Sequence, residues 1–271
     1  MIRQTLLIAP LLLFHAAAAT NEDCLRILQQ ALADKNPDTR KEAVVALSLS
    51  VSRGPLLPEL ESMLADKDVA VRIATITSLV EVKNKRAQDA LHRALDDKVP
   101  EVSFAAAKAL WALHDPAGEQ ALLAVLERES KSSSGLITRE KREAFRMLHT
   151  PRTLLLYALI QGVGFAPVPG LGEGVGSMQA LLLNPKFSGR ANAALLLGND
   201  KDPAVVDALL DALKDKDWSV RAAAAHSLAL RNDPVLRAAL EPLLSDPKQP
   251  VRLRAAAAYV RLSSYAPAGR R

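Results

Sequence analysis

Apolar residues return along this chain at the spacing of a helix face, as in Val71, Ala74, Ile76 and Leu79, or Val220, Ala223, Ala224 and Leu228. Such stripes predict helices that bury one side. Between the helical runs a polar nine-residue phrase recurs. It reads Leu32-Ala-Asp34-Lys-Asn-Pro-Asp-Thr-Arg40, Leu64-Ala-Asp66-Lys-Asp-Val-Ala-Val-Arg72, Leu95-Asp-Asp97-Lys-Val-Pro-Glu-Val-Ser103, Leu213-Lys-Asp215-Lys-Asp-Trp-Ser-Val-Arg221 and Leu244-Ser-Asp246-Pro-Lys-Gln-Pro-Val-Arg252. The steps from Asp34 to Asp66, Asp66 to Asp97 and Asp215 to Asp246 are 32, 31 and 31 residues. A weaker copy, Leu182-Leu-Asn184-Pro-Lys-Phe-Ser-Gly-Arg190, lies 31 residues before Asp215 and keeps the arginine. A fixed period of this length marks one small structural unit repeated in a row.

Each phrase is followed by an alanine-rich run and preceded by another. The preceding runs open with Asp115-Pro116, Asp202-Pro203 and Asp233-Pro234. Asp at a helix N-cap accepts orphan backbone N–H bonds, and Pro in the first helical position loses nothing by lacking its own. One unit is therefore helix, short turn, helix.

The turn Asp-x-x-x-x-Val-Arg, followed by x-x-Ala-x-x-Ala-Leu, resembles HEAT repeats, including the short HEAT-like units of phycobilisome lyase subunits and many bacterial proteins. The resemblance covers most of residues 22–262. It implies an all-α, right-handed α-solenoid of about six to seven HEAT-type helix pairs, interrupted by a Gly/Pro-rich apolar segment. It also implies a structural ladder of hydrogen bonds between units, with Asp34/Arg40, Asp66/Arg72, Asp215/Arg221 and Asp246/Arg252 as its members. Ser103 and Asn184 depart from the pattern, so the ladder is expected to be incomplete in mid-array.

Asp97 and Asn184 are 87 residues apart, room for nearly three units, yet only one degenerate copy is visible, from Asp115 to about Leu148. Its turn is swollen by Glu127 to Glu140, which includes Lys131-Ser-Ser-Ser134-Gly135 and reads as an exposed loop. Between Thr153 and Pro185 there is one charged residue, Glu173, and six of the twelve glycines. An apolar helix ending at Gly162 is expected, because the Gly/Pro run cannot continue it. Three readings stay open for this stretch: a degenerate repeat packed in the core, a loop that docks a partner, or a small-residue hairpin in contact with a membrane interface. The domain reading is a signal peptide at 1–19, N-terminal HEAT-like repeats at 20–149, the apolar insertion at 150–180, C-terminal HEAT-like repeats at 181–264 and a disordered tail at 265–271.

The chain's 271 residues are 49% hydrophobic and only 4% aromatic, a composition in which Ala and Leu dominate and favour close-packed helices. Net charge is +5, with Lys and Arg interspersed among Asp and Glu, so nucleic acid is not the expected partner. Arg3, the apolar run from Leu6 to Phe14 and the small residues Ala16 to Ala19 read as a secretory leader cleaved before Thr20. That places the mature protein in the periplasm or cell envelope. Cys24 is the sole cysteine; Asn21-Glu22-Asp23 before it does not suit lipid attachment, and stability must come from packing.

Catalytic chemistry finds no foothold in the sequence. His15, His92, His114, His149 and His226 form no metal-ligand pair, and there is no His-Glu-x-x-His or Cys-x-x-Cys. The glycines of 162–176 lack the Lys-Ser/Thr ending of a phosphate loop. His226 reads as a helix-face residue. The expectation is a non-catalytic, cofactor-free protein-binding scaffold or adaptor whose second helices line a concave face. Candidate partner-binding residues are Lys41, Thr75, Lys108, Arg146 and Arg254, joined by Phe165 and Leu171 of the apolar segment. The rival is a HEAT-like lyase-type or glycosylase-type enzyme, or a chaperone-like ligand carrier, which needs a polar or aromatic pocket. Phe104, Trp111 and Trp218 are the residues that would line it.

Overall fold

The computed structural model describes residues 19–50, 56–132, 187–200 and 202–265, and among them it contains twelve α-helices and no strand. In the N-terminal half the helices are α1 (Asn21–Leu32), α2 (Pro37–Leu47), α3 (Leu57–Ser62), α4 (Val69–Val80), α5 (Lys85–Ala94), α6 (Pro100–Ala112) and α7 (Pro116–Ser132). In the C-terminal half they are α8 (Gly189–Leu196), α9 (Pro203–Ala212), α10 (Trp218–Leu230), α11 (Arg237–Leu240) and α12 (Gln249–Ser263). Short 3-10 turns extend α3, α8 and both ends of α11.

The first and second helices of a unit bury different amounts of their surface, as their sequences dictate. Helix α5 hides Ala87, Ala90, Leu91 and Ala94, the i, i+3, i+4, i+7 stripe, and leaves Lys85, Arg86 and Arg93 in solvent. Helix α10 buries Ser219, Val220 and every residue from Ala222 to Ala229. A helix apolar or small all round can be held only between neighbours, and second helices are stacked on second helices: α2 on α4, α4 on α6, α8 on α10 and α10 on α12.

Caps fix the helix starts. Asn36, Asp68, Asn84, Asp202 and Asp217 each accept at least one backbone N–H from the first turn of α2, α4, α5, α9 and α10. The turn into the next unit bends through a residue with positive φ: Lys83 at 49°, His114 at 58° and Asn232 at 56°. None is glycine, so the positive φ itself carried no glycine mark in the sequence.

The order of units in space is not their order along the chain. The last second helix, α12, lies against α10 on one side and against α1 and α2 on the other. It meets α1 and α2 as each second helix meets the unit that follows it. The described stack therefore runs α8–α10–α12 and then α2–α4–α6, with the chain's final unit in its interior. Accordingly α12 is buried nearly throughout, from Val251 and Leu253 to Leu262.

Candidate functional site

Side chains converge in three places: the turns, the joint between the two halves, and the outer face of α6. At the turns, each aspartate works twice. Its Oδ1 accepts the N–H two residues on, at 2.8 Å for Asp34, Asp66, Asp97, Asp215 and Asp246, which shapes the entry to the second helix. In all but Asp34 its carboxylate then receives the arginine of the preceding unit. Arg40 donates Nε to Asp66 Oδ2 at 2.6 Å and Nη2 to Asp66 Oδ1 at 2.7 Å, while Nη1 donates to the Asp34 and Lys35 carbonyls. Arg221 repeats the pattern with Asp246 at 2.7 and 2.9 Å and with the Asp215 carbonyl at 2.7 Å. Arg72 Nε lies 2.9 Å from Asp97 Oδ2 and its Nη1 donates to the Asp66 carbonyl. Arg190 pairs with Asp215. Arg40, Arg72 and Arg221 thus each take their own unit's aspartate by the backbone carbonyl and the neighbouring unit's by the carboxylate. The Arg40 fork holds the Asp66 carboxyl below the usual carboxylate range, against the opposing effect of burial. At Ser103 the hydroxyl donates to the Leu95 carbonyl at 2.7 Å instead.

A second set of contacts ties first helices to one another. Arg86 grips Glu61 through Nε at 2.6 Å, and Gln88 and His92 both reach Asp115, at 2.6 and 2.9 Å. Burial opposes the charge on Asp115, but bonds from the Ala117 N–H, His92 and Gln88 outweigh it and lower its pKa. The His92–Asp115 pair spans 23 residues, a separation that neither the repeat period nor the arginine rungs share.

At the joint, Arg252 donates to the Asp246 carbonyl at 2.6 Å, but no ion pair joins it to Asp34. Four other contacts stand in its place. The Thr39 hydroxyl donates to Gln249 Oε1 at 3.1 Å, and Arg254 donates to the Glu42 carbonyl and carboxylate at 3.3 and 3.2 Å. Arg261 donates Nη1 to the Leu49 carbonyl at 2.8 Å and Nε to the Ala229 carbonyl and Asn232 Oδ1. The Tyr259 hydroxyl donates to the Ala19 carbonyl. His226 on α10 is fully buried, and neither ring nitrogen has a partner. Burial first, then the Arg254 and Arg261 charges, lower its pKa to about 3, so the ring is neutral.

On α6, Phe104, Lys108 and Trp111 follow one another at helical spacing. Phe104 is 38% and Trp111 56% exposed. Lys108 is half-buried, and desolvation lowers its pKa. Trp218 is instead packed edge-to-face on Phe187, with centroids 5.7 Å apart.

These placements correct part of the candidate set. Thr75 is fully buried and returns its hydroxyl to the Val71 carbonyl at 2.9 Å, so it offers nothing to a partner. Arg254 is 1% exposed and engaged with Glu42; its place on a second helix suggested the concave face, and the joint covers it. Lys41 stays half-exposed beside Asp38, at 3.6 Å. Arg146, Phe165, Leu171 and the whole 150–180 segment lie outside the described residues. Cys24 is buried in α1, and burial pushes its thiol up to about 12. Among the described residues no group of three or more His, Cys, Asp or Glu could hold a metal, and no helix is long and apolar enough to cross a membrane.

The HEAT repeats family matches residues 57–134 and 178–260, more than half of the chain. No curated protein shows significant similarity. Among solved structures, human deoxyhypusine hydroxylase in complex with glycerol is similar at 22% identity, over 90% of this chain and 96% of that one, with a TM-score of 0.31. The chain belongs to the HEAT-repeat family.

Proposed function

We propose that this protein is a non-catalytic scaffold or adaptor that docks a protein partner on the open face of its second helices, and that it works outside the cytoplasm, in the periplasm or cell envelope. The observation that carries the reading is the α6 stripe. Two large aromatics, Phe104 and Trp111, stand in solvent on either side of Lys108, in a chain that has so few aromatics. Exposed aromatic side chains with a nearby cation are what interface anchors are made of. The polar ladder residues, in contrast, are consumed by contacts within the stack. Export rests on the leader-like residues 1–19.

The test is capture from envelope extracts with the wild type and with a Phe104→Ser/Trp111→Ser double variant. Both substitutions fall on exposed positions, so helicity should be unchanged. A partner retained by the wild type should be held about tenfold more weakly by the variant. Equal retention would remove α6 as the docking face. N-terminal sequencing of the exported protein should find a chain that starts at Thr20 or a near neighbour, whereas a chain starting at Met1 in the cytoplasm would overturn the localisation.

A further inference from the structure

Helix α1 starts where the sequence places the cleavage of its leader. Thr20 is the N-cap, and it is tied to Asp23 three times: its N–H donates to Oδ2 at 3.1 Å, its hydroxyl donates to the same oxygen at 2.7 Å, and the Asp23 N–H returns a bond to the hydroxyl at 3.2 Å. Oδ1 of Asp23 pairs with Arg26. From the other side of the joint, 240 residues along the chain, Tyr259 of α12 donates its hydroxyl to the Ala19 carbonyl. Tyr259 is 4% exposed, and the Arg237 guanidinium lies over its ring, 5.3 Å from the centroid. The Ala19 oxygen and the Thr20 nitrogen belong to one planar peptide and lie about 2.2 Å apart. Asp23 and Tyr259 therefore meet at a single peptide bond, the carboxylate on its nitrogen and the phenol on its oxygen. That bond is the one between leader and mature chain. Its hydrolysis by a signal peptidase takes up one water, leaves a carboxylate on Ala19 of the departing leader and turns the Thr20 nitrogen into an ammonium. The nearly buried Tyr259 hydroxyl then loses its acceptor, and a cation with three N–H groups stands beside it.

We propose that Asp23 Oδ2 and the Tyr259 hydroxyl form a binding site for the chain's own α-ammonium at Thr20, so that removal of the leader pins the first unit to the last. The proposal rests on the cleavage position given above. The ammonium donates one N–H to Asp23, as the amide does in the uncut chain, and a second to Tyr259 across the joint. A cation at a helix N-terminus is opposed by the helix dipole, and Glu22 and Asp23 in the first turn of α1 counter it. The ionisable groups around the site are Asp23, Cys24 and Arg26 on α1, Arg237 on α11, and Glu241 just after it. The two carboxylates favour the ammonium and the two guanidiniums oppose it, so the direct bonds to Asp23 and Tyr259 decide the balance.

The experiment uses a chain made to start at Thr20, verified by mass, and titrates its α-amine through the pH dependence of acetylation of the N-terminal peptide. A pKa of about 9 is expected in place of the ordinary value of about 7.7–8.0, because hydrogen bonds to the charged form favour it. Tyr259→Phe, which keeps the ring, should bring the value part of the way back, and Asp23→Asn should bring it back further. The chain acetylated at Thr20 should melt about 2–4 °C below the free one at pH 7. Since the folded pKa is raised, that difference should be full below the ordinary value and disappear as pH rises through the raised one. N-terminal sequencing of the exported protein tests the cleavage position by itself, so that reading and this one fail separately. An amine that titrates at its ordinary value would overturn the proposal. So would a raised value that Tyr259→Phe leaves unchanged, since the amine would then cap α1 without reaching across the joint.

Discussion

Two kinds of interface hold this stack together, and they differ in how they use charge. Inside each half, units are joined by an arginine fork on an aspartate whose Oδ1 also accepts the N–H that shapes the turn. At the joint, where α12 meets α1 and α2, the rung is missing. It is replaced by a neutral hydroxyl–amide bond, an arginine on a half-open glutamate and an arginine on backbone carbonyls. The regular interface is a local device repeated by sequence. The joint is not repeated, because the units it connects are separated by most of the chain.

The difference predicts a graded response to substitution. Arg40→Ala should be the most damaging. It leaves Asp66, whose side chain is 6% exposed, as a buried charge without its counter-ion, at a cost of about 3–5 kcal/mol. Because Asp66 has a lowered pKa in the fold, the pair's contribution is present above the ordinary aspartate value and is lost as pH falls through the lowered one. The gap between variant and wild type should close in acid. Denaturant titrations at pH 7 and pH 3 measure both effects, and an undiminished gap at pH 3 would show that packing, not charge, sets the cost.

The interior of the C-terminal half, where α10 packs on α12, should respond to a different pH range. His226 is neutral in the fold, with a pKa of about 3 against 6.5 when unfolded. A group with a depressed folded pKa gives its full stability above the unfolded value, here pH 6.5, and loses it progressively down to pH 3. The unfolded chain gains a proton that the native chain refuses. The slope should approach about 1.4 kcal/mol per pH unit, roughly 2–3 kcal/mol between pH 6 and pH 4. His226→Leu should flatten that part of the curve, while Arg40→Ala should leave it in place.

Smaller effects separate the two interfaces further. Thr39→Val removes the bond to Gln249 at little change in volume and should cost about 0.5–1.5 kcal/mol, with both halves still helical. Arg190→Ala removes a rung whose guanidinium is 59% exposed, and should cost under about 1 kcal/mol. Urea midpoints for the two rank them. A larger loss for Arg190→Ala than for Arg40→Ala would reverse the burial argument.

Much of the repeat was legible from residues alone. The phrase ending in Arg40, Arg72, Arg221 and Arg252, the Asp-Pro helix starts at Asp202 and Asp233, and the alanine runs that must lie between neighbours all follow from local chemistry. The inter-unit turns were not legible, since Lys83 and His114 take positive φ without the glycine that would have announced it. Nor was the spatial order, because the repeat phrase reads the same at an end of a stack as in its middle. One signal did exist. Helix α12 has no polar outer face of the kind a terminal unit needs, and it carries Arg254 and Arg261 among alanines where an end cap would carry them toward water. The candidate contact surface was only partly legible: Phe104 and Trp111 read as the lining that a rival enzyme pocket would need and stand in solvent, whereas Thr75 and Arg254 read as polar surface and are interior.

The central claim is that the chain's last unit stacks on its first. Asp38 and Lys248 are exposed and lie one residue before Thr39 and Gln249, which are hydrogen-bonded across the joint. With both replaced by cysteine, and with native Cys24 buried, a bis-maleimide spanning about 10 Å, the distance between packed helices, should link them within a single chain. The account predicts rapid cross-linking of the monomer at low protein concentration, seen as faster migration on a denaturing gel and as one joined peptide pair by mass spectrometry. A chain stacked in sequence order would hold the two positions many units apart, and the absence of an intramolecular link under those conditions would contradict the account.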